Sequence, residues 1–291
     1  MNISSAAFEY VRQVVYADSA IVLEPGKEYL VESRLQPLAK AQGLADVSAY
    51  VAHVVRSGDM RARRAIVEAL TTNETSWFRD AVLWKGLRER VVPALARTRA
   101  VSRSLSVWSA ACSSGQEAYS IAMLLADTLP GPDWRVQVLG TDLSTGMVER
   151  ARAGRYGQLE INRGLPAPML VRHFRRDGAD WVISTAALRE RVTFRTLNLA
   201  VPFPPLPRFD VVLLRNVLIY LDAATKQEIL RRVRGAMVPD GYLVLGAAET
   251  TIGLDDSWVR EDIGGTAVYR PTTTASIPEL YADFSQAGVS H

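Results

Sequence analysis

The sequence predicts an α/β protein: a doubly wound, largely parallel sheet preceded by a small all-α domain and interrupted by a small inserted β-subdomain. Three observations predict it. From about Leu105 onward, short apolar runs rich in valine and leucine alternate with helical segments, as expected of parallel strands buried on both faces. The first run ends in a cluster of small residues, Ser109, Ala110, Ala111, Ser113, Ser114 and Gly115, which leads directly into an acid-bearing amphipathic helix. The second, RVQVLG, ends on Asp142 in GTDLS.

Residues 1–72 read as a helical N-terminal domain. Apolar residues recur at helical spacing in AFEYVRQVVYA and VSAYVAHVVRSG, with EYLVESRLQPLAKAQG between them, and Gly43 and Gly58 are placed to end helices. The pattern breaks at TTNETSWFRD, where the domain junction is placed, before a further helix carries LWKGLRERVVPALA. Residues 73–270 form the sheet domain. Its strands are LSVWSA, RVQVLGTD, VTFRTLN, FDVVLLRN and GYLVLGAA. AATKQEILRRVRGAM has the spacing of an amphipathic helix, and Pro239, Asp240 and Gly241 are expected to turn the chain into the last of these strands. VRHFRRDGADWVIS, within about 164–191, reads as an antiparallel excursion inserted into the domain. The polar tail, 271–291, is expected to be flexible, with ELYADF as a short docking helix.

Bulk properties narrow the class. A chain of 291 residues with 48% hydrophobic content builds a sizeable core. No apolar stretch approaches bilayer length and the start, MNISSAAFEYVRQVV, lacks a basic region leading into an apolar signal core, so a cytoplasmic protein without membrane insertion is expected. Cys112 is the only cysteine, which excludes an intrachain disulfide and reads as buried filler. His53, His173 and His291 lack ligand spacing, so no metal site is expected. The net charge of +3 is compatible with an acidic partner. Arg56, Arg61, Arg63 and Arg64 cluster near one helical stretch, either to meet such a partner or as a solvated face.

The chemistry concentrates at the strand ends. Small side chains let a ligand approach the backbone, a helix N-terminus offers unpaired N–H groups, and an acid ending the neighbouring strand accepts hydrogen bonds from ribose hydroxyls. Gly115 is the only glycine of the first loop, whereas a dinucleotide fingerprint requires G-x-G-x-x-G; NAD and FAD are therefore disfavoured. Glu117 within the loop region and Asp142 beyond it suit a ligand with one adenosine and no pyrophosphate. S-adenosylmethionine fits that description.

Taken together, TTNETSWFRD, WSAACSSGQEAYSIAM, GTDLS, FDVVLLRNVLIYLD and PDGYLVLGAAET resemble the CheR family, the S-adenosylmethionine-dependent methyltransferases of bacterial chemotaxis receptors. The resemblance runs from the helical domain to about Arg270. It implies a Rossmann-like S-adenosylmethionine-dependent methyltransferase domain and esterification of receptor glutamates, with S-adenosylhomocysteine as product. It further implies that Asn73, Thr75 and Arg79 close over the cofactor, with Arg79 also holding a carboxylate. Glu117 would contact the methionine or the ribose portion, and Asp142 the ribose. Asn198 and Leu199 would bracket the adenine, Arg215 and Asn216 would bind cofactor from the R-N pair, and Tyr220 would lie near the transferring methyl. Arg79 and Tyr220 are thus the expected catalytic residues. The basic cluster would meet the glutamate rows of the receptor's cytoplasmic domain, and no nucleic-acid partner is expected.

Without the resemblance, Asn73 and Thr75 read as helix caps, Tyr220 as a helix-edge aromatic, Asn198 as a strand terminator, Glu117 as a first-turn acid and Arg79 and Arg215 as surface charges. Two departures from the family stand out. Many members carry G-H-S-E where this chain has Gly246, Ala247, Ala248 and Glu249. The loop in RRDGADWVIS is shorter than in members that bind a receptor's C-terminal peptide, which suggests methylation without a tether. Alternative functions are a nucleic-acid or small-molecule methyltransferase on the same sheet, or a non-catalytic module that binds S-adenosylmethionine.

Overall fold

The computed structural model describes residues 3–131 and 133–272; the expected tail helix at ELYADF lies outside them. Four helices open the chain: α1 (Ser5–Ser19), α2 (Glu28–Ala41), α3 (Val47–Ser57) and α4 (Met60–Leu70). Their starts follow from capping chemistry. Ser4, Asp46 and Asp59 each accept a first-turn backbone N–H through the side chain. Their apolar faces meet in one core containing Val11, Val15, Val31, Leu35, Ala39 and Ile66.

After the junction come α5 (Ala81–Gly86), a π-helical turn and α6 (Val92–Thr98), then β1 (Ser104–Ala110), α7 (Gln116–Thr128), β2 (Arg135–Asp142) and α8 (Thr145–Ala153). The inserted part holds β3 (Arg155–Tyr156), α9 (Gln158–Asn162), α10 (Ala167–His173), β4 (Phe174–Asp177), β5 (Asp180–Ile183) and α11 (Ala186–Arg191). It is built on a three-stranded antiparallel sheet in the order β3-β5-β4. This sheet starts at β3, ahead of residue 164, because two paired residues are too few to leave a periodic signal.

The main sheet is completed by β6 (Val192–Thr196), β7 (Phe209–Leu214), α12 (Ala223–Gly235), β8 (Met237–Leu245), β9 (Trp258–Asp262) and β10 (Ala267–Pro271). Its seven strands run β6-β2-β1-β7-β8-β10-β9, parallel from β6 to β8 and antiparallel at the last two. Alternation along β1 sends Leu105 and Val107 into one core layer and Trp108 and Ala110 into the other.

Pro239, Asp240 and Gly241 lie inside β8 and do not precede it. The register against β7 slips between Phe209 and Val211, so these residues form an irregularity where proline is tolerated. Asp240 is held there by a two-pronged bond from Arg99, which also reaches Asp210 at 2.7 Å. The helical domain docks on the sheet domain beyond the β7 end: Ile21 forms a β-bridge with Leu221, and the Val22 N–H donates to the Tyr220 carbonyl at 2.9 Å.

Candidate active site

The cleft lies where the parallel strands β1, β2 and β7 end, the position at which open α/β sheets bind ligands. It holds about 820 Å³ of non-atom space, the open mouth included, and its wall comes from both domains.

Its floor is the turn after β1. Ala111, Ser113 and Gly115 take φ values of 60°, 51° and 94°, a left-handed alternation that folds the turn tightly. Gly115 is required: a Cβ there would sit 2.9 Å from the Ala151 Cβ as well as straining its φ. The turn is tied to β2 through Asp142. One carboxylate oxygen accepts the Ser113 N–H at 2.7 Å, the other the Ser144 N–H at 2.9 Å. A carboxylate offers about four acceptor positions, so these two bonds leave it acceptor capacity to spare. Burial raises the Asp142 carboxyl above its ordinary value, the Ser144 and Ser113 amides pull it back, and the charge of Glu68 adds to the rise.

The roof is the junction segment. The Asn73 carbonyl accepts the Ser113 hydroxyl at 2.7 Å, and the Phe78 N–H donates to the Ser120 hydroxyl at 3.2 Å. Trp77 is buried edge-on against Tyr156 and Phe174, which anchors the roof on the inserted sheet. Asn73 and Arg79 line the cleft. Thr75 does not; from this segment Thr71, Thr72, Asn73 and Glu74 do.

Arg215, at the end of β7, lines the far wall with its side chain 2% exposed, paired with Glu117 at 2.9 Å and with Asp80. Glu117 spends its other oxygen on the Ser109 hydroxyl at 2.7 Å and stands behind Arg215, outside the wall. The reason is electrostatic, since a guanidinium this deep needs a carboxylate partner. Glu117 thus supports Arg215 from behind the wall. Asn216, Tyr220, Asn198 and Leu199 all line the cleft. Asn198 also clamps the domains together: its amide nitrogen donates to the Asp18 carbonyl at 2.7 Å and its oxygen accepts the Ala200 N–H at 2.9 Å.

Sequence reasoning missed the helical domain's share of this wall, Ser19 and Ile21. Neither carries a motif; only the docking of α1 on the loop after β7 puts them there. Cys112 is buried, and burial pushes its thiol well up, which fits the filler reading. The basic cluster divides between α3, which carries Arg56, and α4. Arg63 is bound to Asp18 at 2.6 Å; Arg64 reaches the Thr145 hydroxyl at 2.8 Å while staying exposed, as are Arg56 and Arg61.

The small-residue floor, the half-satisfied Asp142 and the absence of a pyrophosphate-type glycine loop together fit S-adenosylmethionine. Comparisons with known proteins agree. The model of the CheR methyltransferase SAM-binding domain matches residues 73–262 and that of the CheR all-alpha domain residues 6–71. The chain is 40% identical over 276 residues to chemotaxis protein methyltransferase 1 of Pseudomonas aeruginosa, an overlap of 93% of this chain and 99% of that one. It is 39% identical to chemotaxis protein methyltransferase Cher2 of Pseudomonas putida, covering 89% and 95% of the two chains. Identity to the chemotaxis protein methyltransferase of Escherichia coli is 36%, with 92% of each covered. The chain belongs to the CheR methyltransferase family.

Proposed function

We propose that this S-adenosylmethionine-dependent methyltransferase of chemoreceptors transfers the methyl group to glutamate side-chain carboxylates, forming methyl esters, and acts in the cytoplasm. S-adenosylmethionine supplies an electrophilic methyl group on a sulfonium. The residues around the cleft bind and align. Asp142 takes the ribose with its two open acceptor positions, Asn198 and Leu199 flank the adenine, and Asn73, Arg215 and Asn216 close around the remainder. Arg79 holds the incoming carboxylate and Tyr220 sets its approach.

No base is needed for this substrate. A glutamate with an ordinary pKa of about 4.3 is already ionised at neutral pH and is itself the nucleophile. Alignment of oxygen, methyl and sulfur can therefore supply most of the effect, and well-oriented reactants gain roughly 7–11 kcal/mol. The observation that carries this reading is the composition of the wall: the buried carboxylate of Asp142 and the guanidinium of Arg79 line one cleft.

Arg56 and Arg61 are exposed on adjoining helices, and they are the cations of the cluster with no ion pair to compete with a receptor's glutamates among the described residues. The basis for tether-free action is the short β4–β5 connection, in which only residues 178–179 separate Asp177 from Asp180. Calorimetry with a receptor C-terminal pentapeptide tests this, and micromolar binding refutes it.

The function itself is tested by incubating enzyme, methyl-labelled donor and a receptor cytoplasmic fragment, then treating with mild alkali. Volatile labelled methanol is expected, because esters are base-labile. Label that stays on the fragment would indicate an N-methyl product, and label on nucleic acid or a small molecule would favour the alternative enzymes. Donor binding without transfer to any acceptor would favour a non-catalytic module.

A further inference from the structure

Beyond β7 the chain turns sharply, with Asn216 in the left-handed region at φ 59°. The N–H groups of residues 216–219 thereby converge on one point, the geometry of an anion-binding nest. A side chain from the β8 end fills it. One oxygen of Glu249 accepts the N–H groups of Asn216 and Gly246, both at 2.7 Å. The other accepts those of Val217 at 2.9 Å, Leu218 at 2.7 Å and Ile219 at 3.4 Å. Glu249 is 9% exposed. Five donors saturate the roughly four acceptor positions of a carboxylate, so this group has no capacity left for substrate.

The packing leaves no latitude. A Cβ on Gly246 would lie 2.7 Å from the Glu249 carboxylate and 2.9 Å from the Asn216 backbone nitrogen. Gly246 and Glu249 are the two positions of the G-H-S-E pattern that this chain keeps. Ala247 and Ala248, the two it has exchanged, are exposed and take no part in the nest, so their replacement leaves it intact. At either end of the nested segment stand Asn216 and Tyr220, both lining the cleft.

We propose that Glu249 is a positioning residue for methyl transfer: its carboxylate fixes the backbone of residues 216–219 and, through it, the placement of Asn216 and Tyr220. This rests on the reading of those two residues as site residues. In Glu249→Gln an amide NH2 faces backbone donors at one of the two oxygen positions, which forces the segment to shift without removing volume. Misplacement of about 1 Å costs on the order of 10²-fold in rate.

The test combines three readouts on the full chain with a receptor fragment as substrate. Glu249→Gln is expected to lower kcat by about 10²-fold with receptor KM within about threefold of wild type. Amide exchange of the 216–221 peptide is expected to accelerate while that of β1 does not. In a double-mutant cycle with Tyr220→Ala, the losses are expected to be non-additive, since both act through one loop. Wild-type kcat in Glu249→Gln, or additive losses with unchanged exchange, overturns the proposal. Full activity of Tyr220→Ala and Asn216→Ala instead removes the site reading beneath it. Should the Gln variant not fold, Glu249→Asp, which withdraws the carboxylate by one methylene, is expected to show the same pattern in weaker form, and wild-type kcat there equally overturns it.

Discussion

Replacing Asp142 with alanine probes the cleft and the fold together, and the two effects separate by magnitude. The carboxylate leaves two acceptor positions beyond those taken by Ser113 and Ser144. Hydrogen bonds to a charged group are worth about 1.5–3 kcal/mol each, so losing two from the ribose weakens binding by roughly 3–6 kcal/mol, or about 10²–10⁴-fold in Kd. The same substitution strands two buried N–H groups, at a cost to stability of about 1–3 kcal/mol each. Calorimetric titration with S-adenosylhomocysteine, run well below the variant's own Tm, isolates the first effect from the second. Asp142→Asn keeps one acceptor oxygen and is expected to fall between. Affinity within threefold of wild type in a folded Asp142→Ala protein would refute the ribose assignment.

Other outcomes follow from the same geometry. Burial, first among the causes, raises the Asp142 carboxyl above its ordinary 3.8. S-adenosylhomocysteine affinity is therefore full above that raised value and declines as pH falls through it; a decline only below the ordinary value would contradict this. For stability the sign is opposite: the native state favours the protonated form, so ionising this group costs stability as pH rises from the unfolded to the folded value. Arg56→Glu with Arg61→Glu should raise receptor KM and weaken its salt dependence while leaving cofactor affinity unchanged, read by transfer kinetics at several ionic strengths. Arg99→Ala leaves the buried Asp210 carboxylate without its cation, far from the cleft. A loss of about 3–5 kcal/mol in unfolding free energy with unchanged Kd is expected from denaturant titration. Asn198→Ala removes the link to Asp18 and should weaken cofactor binding by about 2–12-fold, the net worth of one hydrogen bond.

Legibility in the sequence tracked how local each signal was. The fully buried run of β7 and the strand-ending Asp142 were readable because burial on both faces and an acid at a strand terminus both leave their mark within a few residues. Pro239 to Gly241 were misread as a turn because a register slip exists only relative to the partner strand. Glu117 behaves as a first-turn acid of α7, but its engagement depends on an arginine ninety-eight positions further along. The clamp from Asn198 to Asp18 spans 180 positions and carries no pattern in either segment. Glu249 was visible as a motif remnant, yet its five amide partners follow from a left-handed Asn216 that no composition reveals.

The account turns on where the methyl group lands. Tandem mass spectrometry of a receptor cytoplasmic fragment, after incubation with this enzyme and S-adenosylmethionine at neutral pH, reads that directly. A mass increase of one methyl ester on glutamate side chains, erased by mild alkali, is the predicted result; methylation confined to lysine, asparagine or the termini, or an unmodified fragment in the presence of bound donor, would contradict it.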